Sequence, residues 1–448
     1  MGDDPLSPLP AVPDDAEDLL LDDAPELAEL DAPIDEAEEA PLEARLVETA
    51  ADLELLVEEL SGAEQYAVDT EFHRERTYFA RLALVQLAWD GKIAIVDPLA
   101  IDVSPLRRVF ESDGLAIFHA ADQDLEILDR VCGAAPRRMF DTQVSSGFIG
   151  FSTPSLVHLT ERLLGRRLQK GDQLADWTRR PLPAAQLQYA AGDVAYLVEL
   201  RAEIVTRLTK LGREEWAAEE CALALARDRA PGVPEEAWWR IRHARQLRGS
   251  ARGVAQCVTA WRERRARERD VPVRFVLPDL ALIAIAQRPP RTRAELEMVR
   301  SIDGRHLGAG AAEELLEAVE QGLRMGPDEL HLPPVDHVEH VVRPAVSIAA
   351  AWVAQRAAEL GIDPAILGSR GDIVGFLQRR PGGRLSSGWR HELVGEPLRR
   401  LATGRASIAF DGRGDLVLEE RSRRSLVMDG PPPEAEAGDG EASATSPA

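Results

Sequence analysis

Two acidic residues interrupt an otherwise apolar segment, Tyr66–Phe72, whose sequence is typical of a β-strand. Because the side chains of a strand alternate with a period of two, Asp69 and Glu71 are expected to project from the same face and to share a divalent cation. The Asp-x-Glu spacing recurs in this acid-rich chain, but there it falls in the tails or in helical segments. Acids on a central strand carry a large desolvation penalty unless a cation neutralises them. The pair therefore predicts a metal site.

A second segment offers a third carboxylate. Asp124 lies in phase with the apolar residues of a predicted helix over Gln123–Val131, so this helix turns it towards the sheet that the helix covers. Asp122, two residues earlier, is better explained as the N-cap of the helix than as a ligand.

A third segment pairs a phenol with a carboxylate. Tyr189 and Asp193 stand at i and i+4 in a predicted long helix over 184–209, so they share one face. Only small residues separate them, which lets the helix approach another surface closely. A half-buried tyrosine beside a solvated aspartate is the alternative interpretation of this spacing.

Four carboxylates without a convincing His or Cys ligand set favour a hard cation, Mg²⁺ or Mn²⁺, over zinc. Two such ions about 4 Å apart are the usual device for hydrolysing phosphodiesters. Tyr189 is then placed to position the attacking water or to help deprotonate it. The expected chemistry is metal-dependent cleavage of a nucleic-acid backbone.

Positioning these residues requires a sheet, and the segments around Asp69 predict one. Apolar residues at helical spacing follow Glu48, and after them come three strand-like segments: Tyr66–Phe72, Leu82–Trp89 and Lys92–Asp97. Asp90-Gly91, between the second and the third, is the strongest short signal of a β-hairpin. Beyond it strands alternate with helices. The expected fold class is therefore α/β, with a mixed sheet covered by helices.

A Pro/Gly segment at 231–234 and a second linker at 327–334, which begins and ends with proline, divide the rest of the chain. The helical patterns beyond them, which begin with a helix over 235–249, predict one or two all-α bundles, with a small terminal hairpin from Ser407–Phe410 and Asp415–Leu418. The sheet of the first domain is expected to close without the bundles. The predicted units are a disordered acidic tail 1–44, a catalytic domain 45–225, a helical domain 235–325, a second helical domain 335–425 and a disordered tail 428–448.

Composition limits the function further. The net charge of −24 comes mainly from the tails, since residues 45–427 carry 56 acids against 53 Lys and Arg, and it does not argue against a nucleic-acid partner. The three cysteines show no metal or disulfide spacing. No apolar run reaches the roughly 20 residues that span a bilayer, and no phosphate-binding Gly-rich loop ends in Lys-Ser/Thr. The protein is expected to be cytoplasmic, without a membrane or a nucleotide cofactor.

Residues 240–305 contain 16 arginines and seven acids, a net charge of +9. Arginine binds phosphate bidentately and stacks on bases, so this stretch favours a nucleic-acid surface. A solvated helix face with internal ion pairs is the alternative. The acidic tail 1–44 has the charge to compete with nucleic acid for a basic groove. The candidate binding residues recur along helical spacing: Arg240, Arg242, Arg245, Arg248 and Arg252.

Five segments stand in order between residues 50 and 210: Ala-Val-Asp-Thr-Glu-Phe at 67–72, then 119–128, Phe-Asp-Thr-Gln at 140–143, Asp-Trp-Thr-Arg-Arg-Pro at 176–181 and Tyr-Ala-Ala-Gly-Asp-Val at 189–194. In type and order they resemble the ribonuclease D family of DEDD exonucleases, with tyrosine in the third motif. The resemblance implies a ribonuclease H-like fold. It also implies metal ligation by Asp69, Glu71, Asp124 and Asp193, with Tyr189 orienting water. Residues 238–322 resemble the helicase-and-RNase-D C-terminal (HRDC) domain, and 335–425 stand where such proteins carry a second, divergent copy.

This resemblance implies a hydrolase, a divalent-metal-dependent 3′-to-5′ exoribonuclease that trims RNA 3′ ends and releases nucleoside 5′-monophosphates. The expected partners are single-stranded 3′ ends of RNA, including those of tRNA precursors and other structured RNA. Two alternatives stay open. A DNA 3′-to-5′ exonuclease needs the same carboxylates, and a catalytically inactive RNA-binding protein would need the helical domains alone. The complete set of four carboxylates and a tyrosine argues against the inactive form. The oligomeric state is not predicted by the sequence.

Overall fold

A mixed six-stranded sheet forms the centre of the N-terminal half in the computed structural model, which describes residues 41–168, 175–308, 310–333 and 343–421. The strands stand in the order β1-β4-β3-β2-β5-β6. β2, β3 and β4 are antiparallel, whereas β1, β5 and β6 join in parallel, so the predicted mixed sheet is confirmed. The bounds are β1 Arg45–Val47, β2 Gln65–His73, β3 Arg81–Trp89, β4 Lys92–Val96, β5 Leu115–Phe118 and β6 Met139–Asp141.

The predicted hairpin lies between β3 and β4. Asp90 and Gly91 adopt φ values of 47° and 74°, the left-handed pair that a two-residue type I′ turn requires. The short strands β1 and β6 were not predicted, because three residues are too few for an alternating pattern to be recognised.

Eight helices surround the sheet in the described part of the N-terminal half: α1 Ala50–Ser61, α2 Arg107–Phe110, α3 Asp122–Cys132, α4 Thr142–Ser146, α5 Leu156–Leu164, α6 Ala184–Ala195, α7 Leu197–Leu211 and α8 Glu214–Leu225. The prediction of one long helix over 184–209 is wrong. Tyr196, at φ −110° and ψ 2°, leaves the helical conformation and separates α6 from α7. The break places Tyr189 and Asp193 on a short helix that crosses the sheet.

The helical region after the first boundary differs from its prediction at one end. The expected helix over 235–249 is two 3₁₀ segments, Pro234–Arg240 and Ala244–Gln246, because His243 adopts a positive φ of 68° that no α-helix accommodates. The remaining helices are α9 Ser250–Arg269, α10 Val273–Val276, α11 Asp279–Gln287, α12 Arg293–Glu297 and α13 Ala311–Arg324.

The C-terminal region is helical and ends in the predicted hairpin. Its helices are α14 Arg343–Leu360, α15 Pro364–Leu367, α16 Arg370–Leu377, α17 Gly388–Arg390 and α18 Glu396–Ala402, with a single π-turn at His391–Gly395. The strands β7 Ala406–Phe410 and β8 Leu416–Glu420 pair antiparallel.

This C-terminal region shares a hydrophobic core with the helices of the sheet domain. Trp216 of α8 stacks on Trp389 with ring centroids 5.0 Å apart, and Arg390 and Arg384 both bond Glu220. Leu200 of α7 lies in the same core. The expectation that the sheet domain closes without the bundles therefore needs correction, because removal of residues 343–421 would expose this apolar surface.

The α9–α13 region is held against the segment that follows β2. Asp270, at the end of α9, accepts hydrogen bonds from the backbone amides of Tyr78 and Phe79, both 3.0 Å long. The Tyr78 hydroxyl donates to Glu263 and accepts from Arg267 Nε. The helical region thus docks a few residues from the strand that carries Asp69 and Glu71.

The predicted tails lie almost wholly outside the described residues, which begin at 41 and end at 421. Within the predicted tail 1–44, Leu42 exchanges two 2.9 Å hydrogen bonds between its backbone and the Gln188 amide of α6. No helix in the described ranges is long and apolar enough to cross a membrane.

Helices α9 and α13 cross at two glycines, which generates the first prediction. A Cβ on Gly322 would lie 2.4 Å from Val254 Cα and 2.6 Å from the Gly253 carbonyl oxygen, so Gly322→Ala must separate the helices. We expect a loss of about 1–3 kcal/mol in the free energy of unfolding of this region, measured by denaturant titration. Gly304→Ala is the matched control, since its Cβ meets nothing within 4 Å. Equal stability of the two variants would contradict the close crossing.

Candidate active site

Three carboxylates meet where α6 crosses β2. Asp69 and Glu71 share one face of β2, and Asp193 reaches them from α6; an oxygen from each of the three lies within 4.8 Å of the others. The fully buried Ala190 and Ala191 bring α6 this close, packing with the sheet residues Leu84 and Ile95 in one core. The predicted shared face and the predicted close approach of this helix are both present.

Asp124 comes to the same region from the other side of β2. The carboxylate of this buried residue accepts a hydrogen bond from the Thr70 hydroxyl, between the two acids of the strand. The prediction for Asp122 is wrong: α3 begins at Asp122 itself, Ala121 is its cap, and the Asp122 side chain makes no capping bond. Asp122 is exposed and instead pairs with Arg229 at 3.4 Å.

Burial raises the pKa of all four carboxyls, and repulsion within the cluster adds to this effect for Asp69 and Glu71. Removal from water, followed by repulsion from Asp124, Asp193 and Glu71, holds the pKa of Asp69 well above its ordinary range. Burial and the same repulsion raise the pKa of Glu71 to about 8. Burial raises the pKa of Asp124 and of Asp193 to about 7. Without a cation, the site therefore retains protons near neutral pH.

Tyr189 stands on α6 one turn before Asp193. Burial, followed by the charges of Asp193, Glu71 and Asp69, raises the pKa of its phenol, so the hydroxyl stays neutral. Its ring lies 5.9 Å from that of the buried Trp177. Arg180 fixes the Trp177 segment by donating to the carboxylate of Asp97 and to the Trp177 carbonyl. The sequence identified the segment 176–181 as a motif without a role. In the structure its Trp177 packs beside Tyr189.

The side chains fit a hard divalent cation. Asp69, Glu71 and Asp193 offer only oxygen ligands at mutual distances that one ion can bridge. A cation would also relieve the repulsion that contributes to the raised pKa values of Asp69 and Glu71. Gln86, directly across from Asp69 on β3, was missed as a site candidate; its amide is fully buried and bonds to none of the described residues. The signal was present, since Gln86 is the one polar residue among the apolar ones of 82–89.

The candidate arginines do not follow a helical face, because 235–249 forms no α-helix. Arg240, Arg242 and Arg248 are exposed and form no ion pair with any residue that the structure describes. Arg245 and Arg252 donate to nearby backbone carbonyls. The arginines of α9 have structural partners instead: Arg262 bonds Asp279, Arg264 bonds Glu235, and Arg265 bonds Glu314.

Comparisons with known proteins agree with this arrangement. Residues 44–209 match the family model described as a 3′-5′ exonuclease, and residues 251–319 match that of the HRDC domain. Ribonuclease D of Acidiphilium cryptum is 34% identical over 82% of this chain and 95% of its own length. Ribonuclease D of Escherichia coli is 32% identical over 80% of this chain and 98% of its own length.

The crystal structure of the Escherichia coli enzyme, described as an exoribonuclease involved in structured RNA processing, superimposes with a TM-score of 0.72 and 30% identity. The match covers 81% of this chain and 99% of that one.

The raised pKa values predict how the metal-free protein responds to pH. Folded-state pKa values above the ordinary 3.8 and 4.5 mean that the protonated carboxyls contribute stability that is full below about pH 4 and lost as pH rises through about 8. We expect the melting temperature in EDTA to fall between pH 5 and pH 9, by calorimetry, and Mg²⁺ to restore more of it at pH 9 than at pH 6. Asp193→Asn, which removes one charge, should flatten the slope; a pH-independent melting temperature in EDTA would contradict the clustering.

Proposed function

Because the chain belongs to the ribonuclease D family and is a 3′-to-5′ exoribonuclease, we propose that Asp69, Glu71, Asp124 and Asp193 hold two divalent cations, Mg²⁺ or Mn²⁺, at its active centre. The observation that carries the proposal is the meeting of three carboxylates within 4.8 Å on and above one strand. Bound cations would supply activation of water and stabilisation of the leaving oxygen during phosphodiester hydrolysis. Asp69 is the central carboxylate of the set, because repulsion from both Asp193 and Asp124 contributes to its raised pKa.

Tyr189 is proposed to position the attacking water. In the cation-free site its raised pKa keeps the phenol protonated, so the phenol is not a ready base there. The hydroxyl can hold a water molecule through hydrogen bonds instead, and the ring of Trp177 limits its movement. Of the two roles that the sequence left open, positioning therefore has the support of the electrostatics.

RNA is the substrate, and we propose that single-stranded 3′ ends of structured RNA, including tRNA precursors, are trimmed to 5′-monophosphates. We also propose that the chain is divided into the domains 45–225, 235–325 and 335–425. The first of these contains the catalytic residues. Arg240, Arg242, Arg245, Arg248 and Arg252 are proposed to contact phosphates. Four of these five arginines lie outside the α-helices, since only Arg252 falls within α9, and three of the five have no acidic partner in the described ranges, which supports that role.

We also propose a cellular location and a second candidate activity. A cytoplasmic location is supported by three buried cysteines that form no disulfide. DNA hydrolysis is the second candidate activity, because nothing in the carboxylate set itself distinguishes ribose from deoxyribose.

The metal assignment is tested with Asp69→Asn. We expect turnover of a short RNA to fall by more than about 100-fold, since even the indirect partners of metal ligands commonly contribute 10–100-fold. Calorimetry should show weakened Mn²⁺ binding, while RNA binding in EDTA stays within a few-fold. Tyr189→Phe is the matched control: it should lose turnover and keep Mn²⁺ affinity. Near-normal turnover by Asp69→Asn at saturating Mg²⁺ would make the assignment wrong, and equal rates on a matched DNA oligomer would favour the second activity.

The arginine surface is tested by replacing Arg240, Arg242 and Arg248 together with Gln in the full-length chain. Each lost phosphate contact reduces the slope of log affinity against log salt by about 0.7 for a single strand. We therefore expect a higher KM for structured RNA, a shallower salt dependence and an unchanged kcat on a short oligomer.

The matched control for that test removes the same charge from arginines that already have acidic partners, namely Arg293, Arg305 and Arg324. It should leave the salt slope nearly unchanged. Equal slopes in the two triple variants would show that 240–252 is only a solvated surface.

A further inference from the structure

One buried polar side chain beside the carboxylates has no assigned role. Gln86 lies in the middle of β3, is 0% exposed, and neither its amide nitrogen nor its amide oxygen bonds to any residue that the structure describes. A buried amide left unpaired is costly, and native proteins keep few of them. Such a group indicates a partner that is present in the working state.

The register of the sheet identifies the nearest polar neighbour. Gln86 pairs with Asp69 across β2 and β3, so the two side chains leave the same face with Cβ atoms about 5 Å apart. On its other side Gln86 pairs with Ile95 of β4. The helix that covers this face, α6, places the small Ala190 and Ala191 over Ile95 and Leu84. Among these neighbours, Asp69 is the one that can accept a side-chain hydrogen bond.

We propose that Gln86 is a positioning residue whose amide nitrogen donates a hydrogen bond to the carboxylate of Asp69 in the cation-loaded enzyme. This inference rests on the proposed function, in which Asp69 binds cations. The bond would leave Asp69 one oxygen fixed by protein and the other directed to the cation, as outer partners do at metal sites in general. The strand alternation that aligns Asp69 with Glu71 also aligns Gln86 with Asp69.

A glutamine suits this place for an electrostatic reason. Its amide supplies a donor to a carboxylate without adding charge to a cluster that already holds four acids. A glutamate would add a fifth negative charge. A lysine or arginine would neutralise Asp69 itself and compete with the cation. The neutral donor orients the ligand and leaves its charge available.

The test is Gln86→Leu in the full-length protein, with Thr259→Val as the matched control. Thr259 of α9 is also fully buried with a hydroxyl that bonds to no described residue, but it lies in the helical region. Mn²⁺ and Mg²⁺ binding is measured by calorimetry, and thermal unfolding is measured in EDTA. We expect Gln86→Leu to bind Mn²⁺ about tenfold more weakly, and Thr259→Val to bind it as the wild type does.

Unfolding in EDTA separates positioning from a structural role. Replacing an unpaired amide by an apolar group of similar size should leave the melting temperature in EDTA unchanged or raised. A lowered melting temperature with unchanged Mn²⁺ affinity would overturn the inference in favour of core packing. Unchanged affinity and unchanged stability would overturn it as well. If the wild type binds Mn²⁺ and Asp69→Asn does not, either of these two outcomes contradicts the role of Gln86 but not the metal site. If the wild type itself binds no cation, the proposed function is contradicted.

Discussion

Mutual repulsion among four carboxylates is the constraint around which the catalytic half is arranged. Asp69 and Glu71 cannot separate, because one strand holds both, and α3 and α6 bring two more acids to them from opposite sides of β2. Burial, followed by this repulsion, raises the pKa of Asp69 and of Glu71 in the absence of cations. Holding such a cluster together lowers the free energy of unfolding of the cation-free protein, and a bound divalent cation raises it again. Affinity for metal is therefore a consequence of how rigidly the acids are confined.

The carboxylates and Tyr189 are held in place by residues that take no part in catalysis. Two alanines of α6 allow the helix to lie against the sheet, and a bulkier residue there would move Asp193 outward. Arg180 fixes the segment that carries Trp177, and Trp177 packs against Tyr189. Helices α7 and α8, which follow the break at Tyr196, share a core with the C-terminal region. The catalytic sheet and the last helical region thus stabilise each other.

The α9–α13 region has a different relation to the catalytic half. It is held mainly by polar contacts around Tyr78 and Asp270, close to the end of β2. Several arginines of α9 form ion pairs with acids, whereas Arg240, Arg242 and Arg248, which precede this helix, are exposed and pair with no acid that the structure describes. The net charge of +9 over residues 240–305 therefore overstates the surface available to RNA, because Arg264 and Arg265 pair with Glu235 and Glu314, which lie outside that stretch.

The local chemistry of the active centre was readable from the sequence, because it follows from short periods. Alternation along a strand predicts the shared face of Asp69 and Glu71, and helical spacing predicts that of Tyr189 and Asp193. The strand-like patterns also predicted a mixed sheet, and the turn residues Asp90-Gly91 predicted its hairpin. What depends on distant parts of the chain was not predictable: the shared core with residues 343–421, the register that sets Gln86 against Asp69, and the loss of helix around His243. Pairing across strands and packing between helices are decided by the total free energy of many contacts, which no single segment contains.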